Sequence, residues 1–188
     1  MQKHLFIYGS ADECTERIKK SLGAALAGAG GYFIDPVKDA DGNIRALELV
    51  PAAALAGVEG YERMRFLDLS SSPPVRDNDV FRRAAAGILW ESEYFPFSLV
   101  CGLGGFELVI PEYRAALGEF LSLPLPCVGT LITEEHAEEL RRLLGLGERY
   151  SALYRRLRTA LENDADTLVT EYGGAEEALS EWKKEYVL

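Results

Sequence analysis

The chain has 188 residues, 48% hydrophobic and 27% charged, with a net charge of −10 at neutral pH. That length suits one domain, residues 1–188, with a substantial core, and the composition is ordinary for a soluble globular protein. The charge excludes nucleic acid as a general partner, because a polyanion is held by clustered Lys and Arg, and no basic run exceeds a pair such as Lys19-Lys20 or Arg141-Arg142. No apolar run reaches the roughly 18 residues of a membrane span, and no signal peptide is expected before the first strand. Cys14, Cys101 and Cys127 are odd in number and widely spaced, which is cytoplasmic usage and not a disulfide framework.

In chain order, His4–Gly9 is a short apolar strand that breaks at a glycine, and a helical run from Cys14 to Ala29 follows. Gly30-Gly31 are expected to end that helix, and Tyr32-Phe33-Ile34-Asp35 to open a second strand. Asp41-Gly42-Asn43 is a hairpin turn signal between Phe33–Lys38 and Ile44–Val50. Arg65–Leu69 is a further short strand, and Ser70–Pro74 a loop. Asn78–Glu91 places Val80, Phe81, Ala84, Ala85, Ile88 and Leu89 on one helical face.

Phe97–Cys101 is a buried-type strand ending in Gly102-Leu103-Gly104-Gly105, after which Phe106-Glu107-Leu108 is expected to be extended. That continuation makes the glycines a tight turn and a poor dinucleotide fingerprint. Pro111 suits the first turn of a helix running to about Leu121. Pro126–Ile132 is a strand, Glu134–Leu144 and Glu148–Glu162 are helices, Thr167–Tyr172 is a last strand and Ala175–Tyr186 a last helix. Tyr150, Leu153, Tyr154, Leu157 and Leu161 form one apolar stripe. Tyr150, Tyr154, Trp182 and Tyr186 are expected to pack as core, with a partner-binding patch as the alternative. Alternating strands and helices predict a three-layer α/β/α domain with a mainly parallel sheet and a β-hairpin insertion.

The first loop carries the functional argument. A strand–glycine–helix start is how phosphate-binding domains begin, and such a loop reads G-x-x-x-x-G-K-[ST]: the glycines let backbone N–H groups approach the phosphates and the lysine neutralises them. Here it reads Gly9-Ser10-Ala11-Asp12-Glu13-Cys14-Thr15, without a second glycine or a lysine. Ser10 and Glu13 have the spacing of a capping box, in which each side chain accepts from the other residue's N–H.

The chain resembles the small P-loop nucleoside-triphosphatase family, that of the cancer-related nucleoside-triphosphatases and their bacterial and archaeal relatives. The resemblance covers Lys3–Ile132: the opening Leu5–Ala29, the hairpin from Gly31-Tyr32-Phe33-Ile34-Asp35-Pro36-Val37 to Asn43–Val50, the segment Leu103-Gly104-Gly105-Phe106-Glu107-Leu108, and Tyr113-Arg114 with Val128-Gly129-Thr130. It implies a P-loop fold over residues 1–132, with residues 133–188 as a C-terminal helical addition and an extra strand. Where the family's third strand ends in Asp-Glu, for magnesium and for activating water, this chain has Cys101 and Gly102, and Gly105 replaces the lysine after Gly104. Gly9, Gly104, Glu107 and Thr15 survive as matches.

An uncompensated carboxylate about 4 Å from a phosphate charge costs on the order of 4 kcal/mol at an effective dielectric near 20, roughly a thousandfold in binding. The expectation is therefore a degenerate, regulatory or binding module without NTP hydrolysis, without a magnesium–nucleotide cofactor, and with no catalytic or metal-ligating residues. The alternative is a nucleotide-binding or hydrolysing enzyme with an altered loop. The partner classes left open are a protein and a small molecule in the crevice at the carboxyl edge of the sheet. Its expected lining is Gly9, Ser10, Asp12, Glu13, Cys14, Thr15, Cys101, Gly102, Gly104, Gly105 and Glu107. Cys14 at a helix start is a candidate reactive thiol, against the plainer reading of a buried hydrophobe. His4 and His136 lack metal-ligand spacing.

Overall fold

The apolar strands are built to be covered on both faces, and a computed structural model of the protein, described over residues 2–55 and 60–187, covers them with helices. In β1 (His4–Gly9), Leu5 and Ile7 face one layer and Phe6 the other. The first layer holds α1 (Ala11–Leu22) and α7 (Ala175–Tyr186), with Cys14, Ile18, Leu22, Leu179 and Trp182 in one core. The second holds α3 (Ala86–Glu91), α4 (Pro111–Ser122), α5 (Glu134–Leu143) and α6 (Glu148–Asn163) around the other.

Between them lie β2 (Ala29–Lys38), β3 (Ile44–Pro51), β4 (Met64–Asp68), β5 (Val75–Arg76), β6 (Phe97–Leu103), β7 (Cys127–Ile132) and β8 (Thr167–Glu171). With β1 they form one sheet in the order β5-β4-β3-β2-β6-β7-β1-β8. The five strands from β2 to β8 in that order pair in parallel, and β3, β4 and β5 extend the sheet antiparallel. A short α2 (Ala52–Leu55) follows β3. No helix among the described residues is long and apolar enough to cross a membrane.

Local chemistry accounts for the hairpin. Asp39 Oδ1 accepts the N–H groups of Asp41 and Asn43 at 3.0 and 2.9 Å, the self-bonded turn that Asp favours, and Lys38 pairs with Ile44 beyond it. The first helix departs from expectation. It starts at Ala11, ends at Gly23 with φ +54°, and passes through a 3₁₀ turn (Gly23–Gly28) into β2. Gly30 and Gly31 therefore lie inside a strand. A Cβ on Gly31 would sit 1.9 Å from the Leu99 carbonyl oxygen, so glycine is there to let β2 and β6 approach, not to stop a helix. The helix over residues 78–91 opens with a π-helical segment, Val80–Ala85. That segment carries Phe81 into edge contacts with Phe66, Phe106 and Tyr113, at 4.9, 5.5 and 5.4 Å between ring centres. Tyr150, Tyr154 and Trp182 are core residues, and Tyr186 is half-buried against Trp182.

The chain leaves β1 toward the α1 layer, whereas it leaves β6 and β7 toward the layer of α4 and α5. Connections that part to opposite faces open a crevice at the carboxyl ends of these strands, where open α/β sheets place ligands.

Candidate ligand crevice at the carboxyl edge

A single residue, Ser10, joins β1 to α1. Its backbone is extended, as a helix cap requires, but its side chain makes no cap bond, so the expected capping box does not form. The acids are turned elsewhere: Asp12 stands 4.0 Å from Lys38 and Glu13 lies in the groove between α1 and α7. Thr133 does cap α5, its hydroxyl accepting the His136 N–H at 3.2 Å.

The end of β6 is the most constrained part of the site. Gly102 has φ +94°, and its N–H donates to Thr130 Oγ1 at 2.6 Å. Gly104 has φ +102°, where an L side chain is strained. The residues after it are not extended. Phe106–Val109 is a 3₁₀ turn, and it brings the Glu107 carboxylate back to accept the N–H groups of both Gly104 and Gly105 at 2.9 Å. Glu107 is 3% exposed. Burial pushes its pKa up to about 7, against the opposing pull of the backbone N–H groups of Glu107, Gly104 and Gly105. Tyr32 and Tyr113, whose hydroxyls hydrogen-bond each other, lie within reach of that charge, and burial raises both far above the ordinary phenol range. From α6, Tyr150 donates to the Gly104 carbonyl at 2.6 Å and Tyr154 to the Ile132 carbonyl at 2.7 Å.

Beside the end of β6 lies a cavity of about 260 Å³ that is open to solvent on one side. Ile34, Leu47, Phe66, Phe81, Phe106 and Ile132 are among its apolar lining, and Leu140 and Leu143 of α5 line it as well. Its ionisable side chains are Asp12, Glu107, His136 and Glu139, and no Lys or Arg is among the described residues that line it. A wider groove of about 960 Å³ between α1 and α7 carries charges of both signs, including Glu13, Arg17, Lys20 and Lys183. It is a solvated seam. Among the described residues, no group of three or more His, Cys, Asp or Glu side chains is placed to hold a metal ion.

Of the residues expected in the crevice, Asp12, Gly102, Gly105 and Glu107 line the cavity, and Gly104 holds Glu107 from behind. Gly9 at the end of β1 and Ser10 after it lie outside the lining, and Glu13 faces the outer groove. Cys14, Thr15 and Cys101 do not line the cavity. They are buried, the two cysteines in the core on the α1 face of the sheet. Burial pushes Cys14 up to about 11 and Cys101 up to about 12, so the helix start does not generate a thiolate. The α5 side, with His136, Glu139, Leu140 and Leu143, was not legible as site. Nothing in the local sequence relates these residues to β6.

The layered sheet, the strand order and the crevice at the end of β1 define a P-loop nucleoside-triphosphatase-type fold. Among solved structures, the chain is similar to a human cancer-related nucleoside triphosphatase determined in solution, with a TM-score of 0.60 and 15% identity over 95% of this chain and 94% of that one. The likeness thus runs past Ile132, where the sequence resemblance fades. No protein-family model matches the sequence, and no curated protein matches it.

Proposed function

We propose that the chain is a binding or regulatory module on a P-loop nucleoside-triphosphatase-like fold, without hydrolysis of nucleoside triphosphates, and that its ligand site is the carboxyl-edge cavity. The observation that carries this reading is the pairing of a one-residue β1–α1 connection with a cavity lined, among the described residues, by no Lys or Arg. Phosphoryl transfer depends on positioning and on charge stabilisation by a lysine and a metal. A single residue has no loop to wrap around phosphates, and Asp12, Glu107 and Glu139 would repel them. The net charge of −10 supports a partner other than nucleic acid, a small molecule or a protein, for a protein working in the cytoplasm without a magnesium–nucleotide cofactor.

Titration with ATP and GTP, with and without magnesium, together with a phosphate-release assay, tests the reading. Neither binding in the micromolar range nor turnover is expected, and either would overturn it. The second reading, a nucleotide-binding or hydrolysing enzyme with an altered loop, is favoured by the likeness to a nucleoside triphosphatase and predicts the opposite result in the same titration.

A further inference from the structure

Resting on the reading of this crevice as a binding site, we propose that it takes a small apolar cation: a hydrocarbon or aromatic body carrying a protonated amine that meets the Glu107 carboxylate. The body is specified by the wall. Phe66 and Phe106 each pack edge to face with Phe81, beside Ile34, Leu47 and Ile132. The volume, about 260 Å³, lies just below the ~300–1,000 Å³ of drug-sized sites, which are mostly apolar with few polar groups.

The charge is specified by what the wall contains. Three carboxylates, Asp12, Glu107 and Glu139, line it with one imidazole, His136. Asp12 has Lys38 at 4.0 Å, and no ion pair of Glu107 or Glu139 is found among the described residues. Two glycine N–H groups bond Glu107, but they are dipoles and do not neutralise it. A buried carboxylate is stabilised by a paired cation. Where Glu107 is ionised, above its pKa of about 7, an anion in the same space meets three carboxylates and a neutral body leaves the Glu107 carboxylate unpaired. The cavity is therefore selective by charge as well as by shape.

The ionisable groups facing Glu107 are Tyr32 of β2, Tyr113 of α4 and Tyr150 of α6. Asp12 of α1 and His136 and Glu139 of α5 share the cavity with it. A cation needs the ionised carboxylate, so binding should weaken as pH falls through the Glu107 pKa.

Calorimetric titration with phenethylamine and cyclohexylmethylamine, each against its alcohol analogue, and with phenylacetate as the anion, tests the proposal. Each amine is expected to bind at least about tenfold tighter than its alcohol at about pH 8, and to lose about tenfold between pH 8 and pH 6 as a carboxylate of pKa about 7 is protonated. The pH series repeated in His136→Asn keeps the imidazole from being the group read. Glu107→Gln is expected to abolish the preference for amine over alcohol. Leu143→Trp, which fills the cavity mouth from the exposed side of α5, is expected to block both amines in a folded protein, so the proposal stays testable should Glu107→Gln not fold. Equal binding of amines and alcohols, tighter binding of phenylacetate, or amine binding undiminished in Leu143→Trp would overturn the cation assignment and leave the binding-module reading standing. Micromolar binding of magnesium ATP or GTP would overturn that reading itself.

Discussion

Tyr150 reaches from α6 to donate its hydroxyl to the carbonyl of Gly104 at 2.6 Å. The same glycine offers its N–H to Glu107 on the other side of the peptide chain. A residue in the C-terminal third thus holds the turn that positions the cavity's buried acid, so α6 is part of the site's architecture.

Tyr150→Phe keeps the ring packing and removes only the donor. The Gly104 carbonyl is then left without that partner in a buried setting, which costs about 1–3 kcal/mol. Urea denaturation is expected to show a lower midpoint with an unchanged slope. A wild-type midpoint would mean that the hydroxyl does not hold the turn.

Glu107 makes stability fall with rising pH. Its folded pKa of about 7 lies above its ordinary value of 4.5, so the folded state holds a proton that the unfolded state releases. The contribution is fully present below about pH 4.5 and is lost as pH rises through about 7. From those two values it amounts to at most about 3 kcal/mol. Glu107→Gln is expected to be more stable than wild type at about pH 8, and to lose that advantage at about pH 5. Thermal melts of both proteins at the two pH values decide it. A wild type whose stability rises across this window relative to the variant would contradict the assignment.

The three thiols are predicted to be inert in the native state. Cys14, Cys101 and Cys127 are buried, and burial raises all three above the ordinary thiol value, which suppresses the thiolate needed for attack. Alkylation with iodoacetamide, followed by mass spectrometry, should label none of them within the time that labels all three in guanidinium. Rapid labelling of Cys14 in the folded protein would restore the reactive-thiol reading.

Gly31→Ala tests the close approach of β2 and β6. The added Cβ would overlap the Leu99 carbonyl, and Gly31 has φ +78°. The substitution is expected to destabilise by more than about 3 kcal/mol, beyond the ordinary range for one residue, read as a large fall in melting temperature or as loss of soluble protein. Gly28→Ala, where an added Cβ meets nothing within 4 Å, is the matched control and should leave the melting temperature close to wild type.

Much of the layered fold was legible because its signals are local. Alternation in the strands, the Asp41-Gly42-Asn43 turn signal and the apolar stripe of α6 each depend on neighbours within a few residues. The same holds for the absent loop lysine, which reads directly from Gly9–Thr15. The failures share one cause. Ser10 and Glu13 have capping-box spacing, but Glu13 is drawn into the groove beside α7. Gly30-Gly31 look like a helix stop, but their use is set by Leu99 on a strand distant in sequence. Phe106-Glu107-Leu108 looked extended until the two glycine N–H groups supplied partners for a carboxylate.

The cavity was illegible for the same reason. Phe81, Leu140 and Leu143 carry ordinary helix-face patterns, and only sheet order brings them to the end of β6. Local periodicity and composition were enough for most of the elements and for the absence of a lysine between Gly9 and Thr15. The buried acid, its raised pKa and the apolar chamber around it arise from side chains far apart along the chain whose burial is set by packing, and no local pattern encodes that.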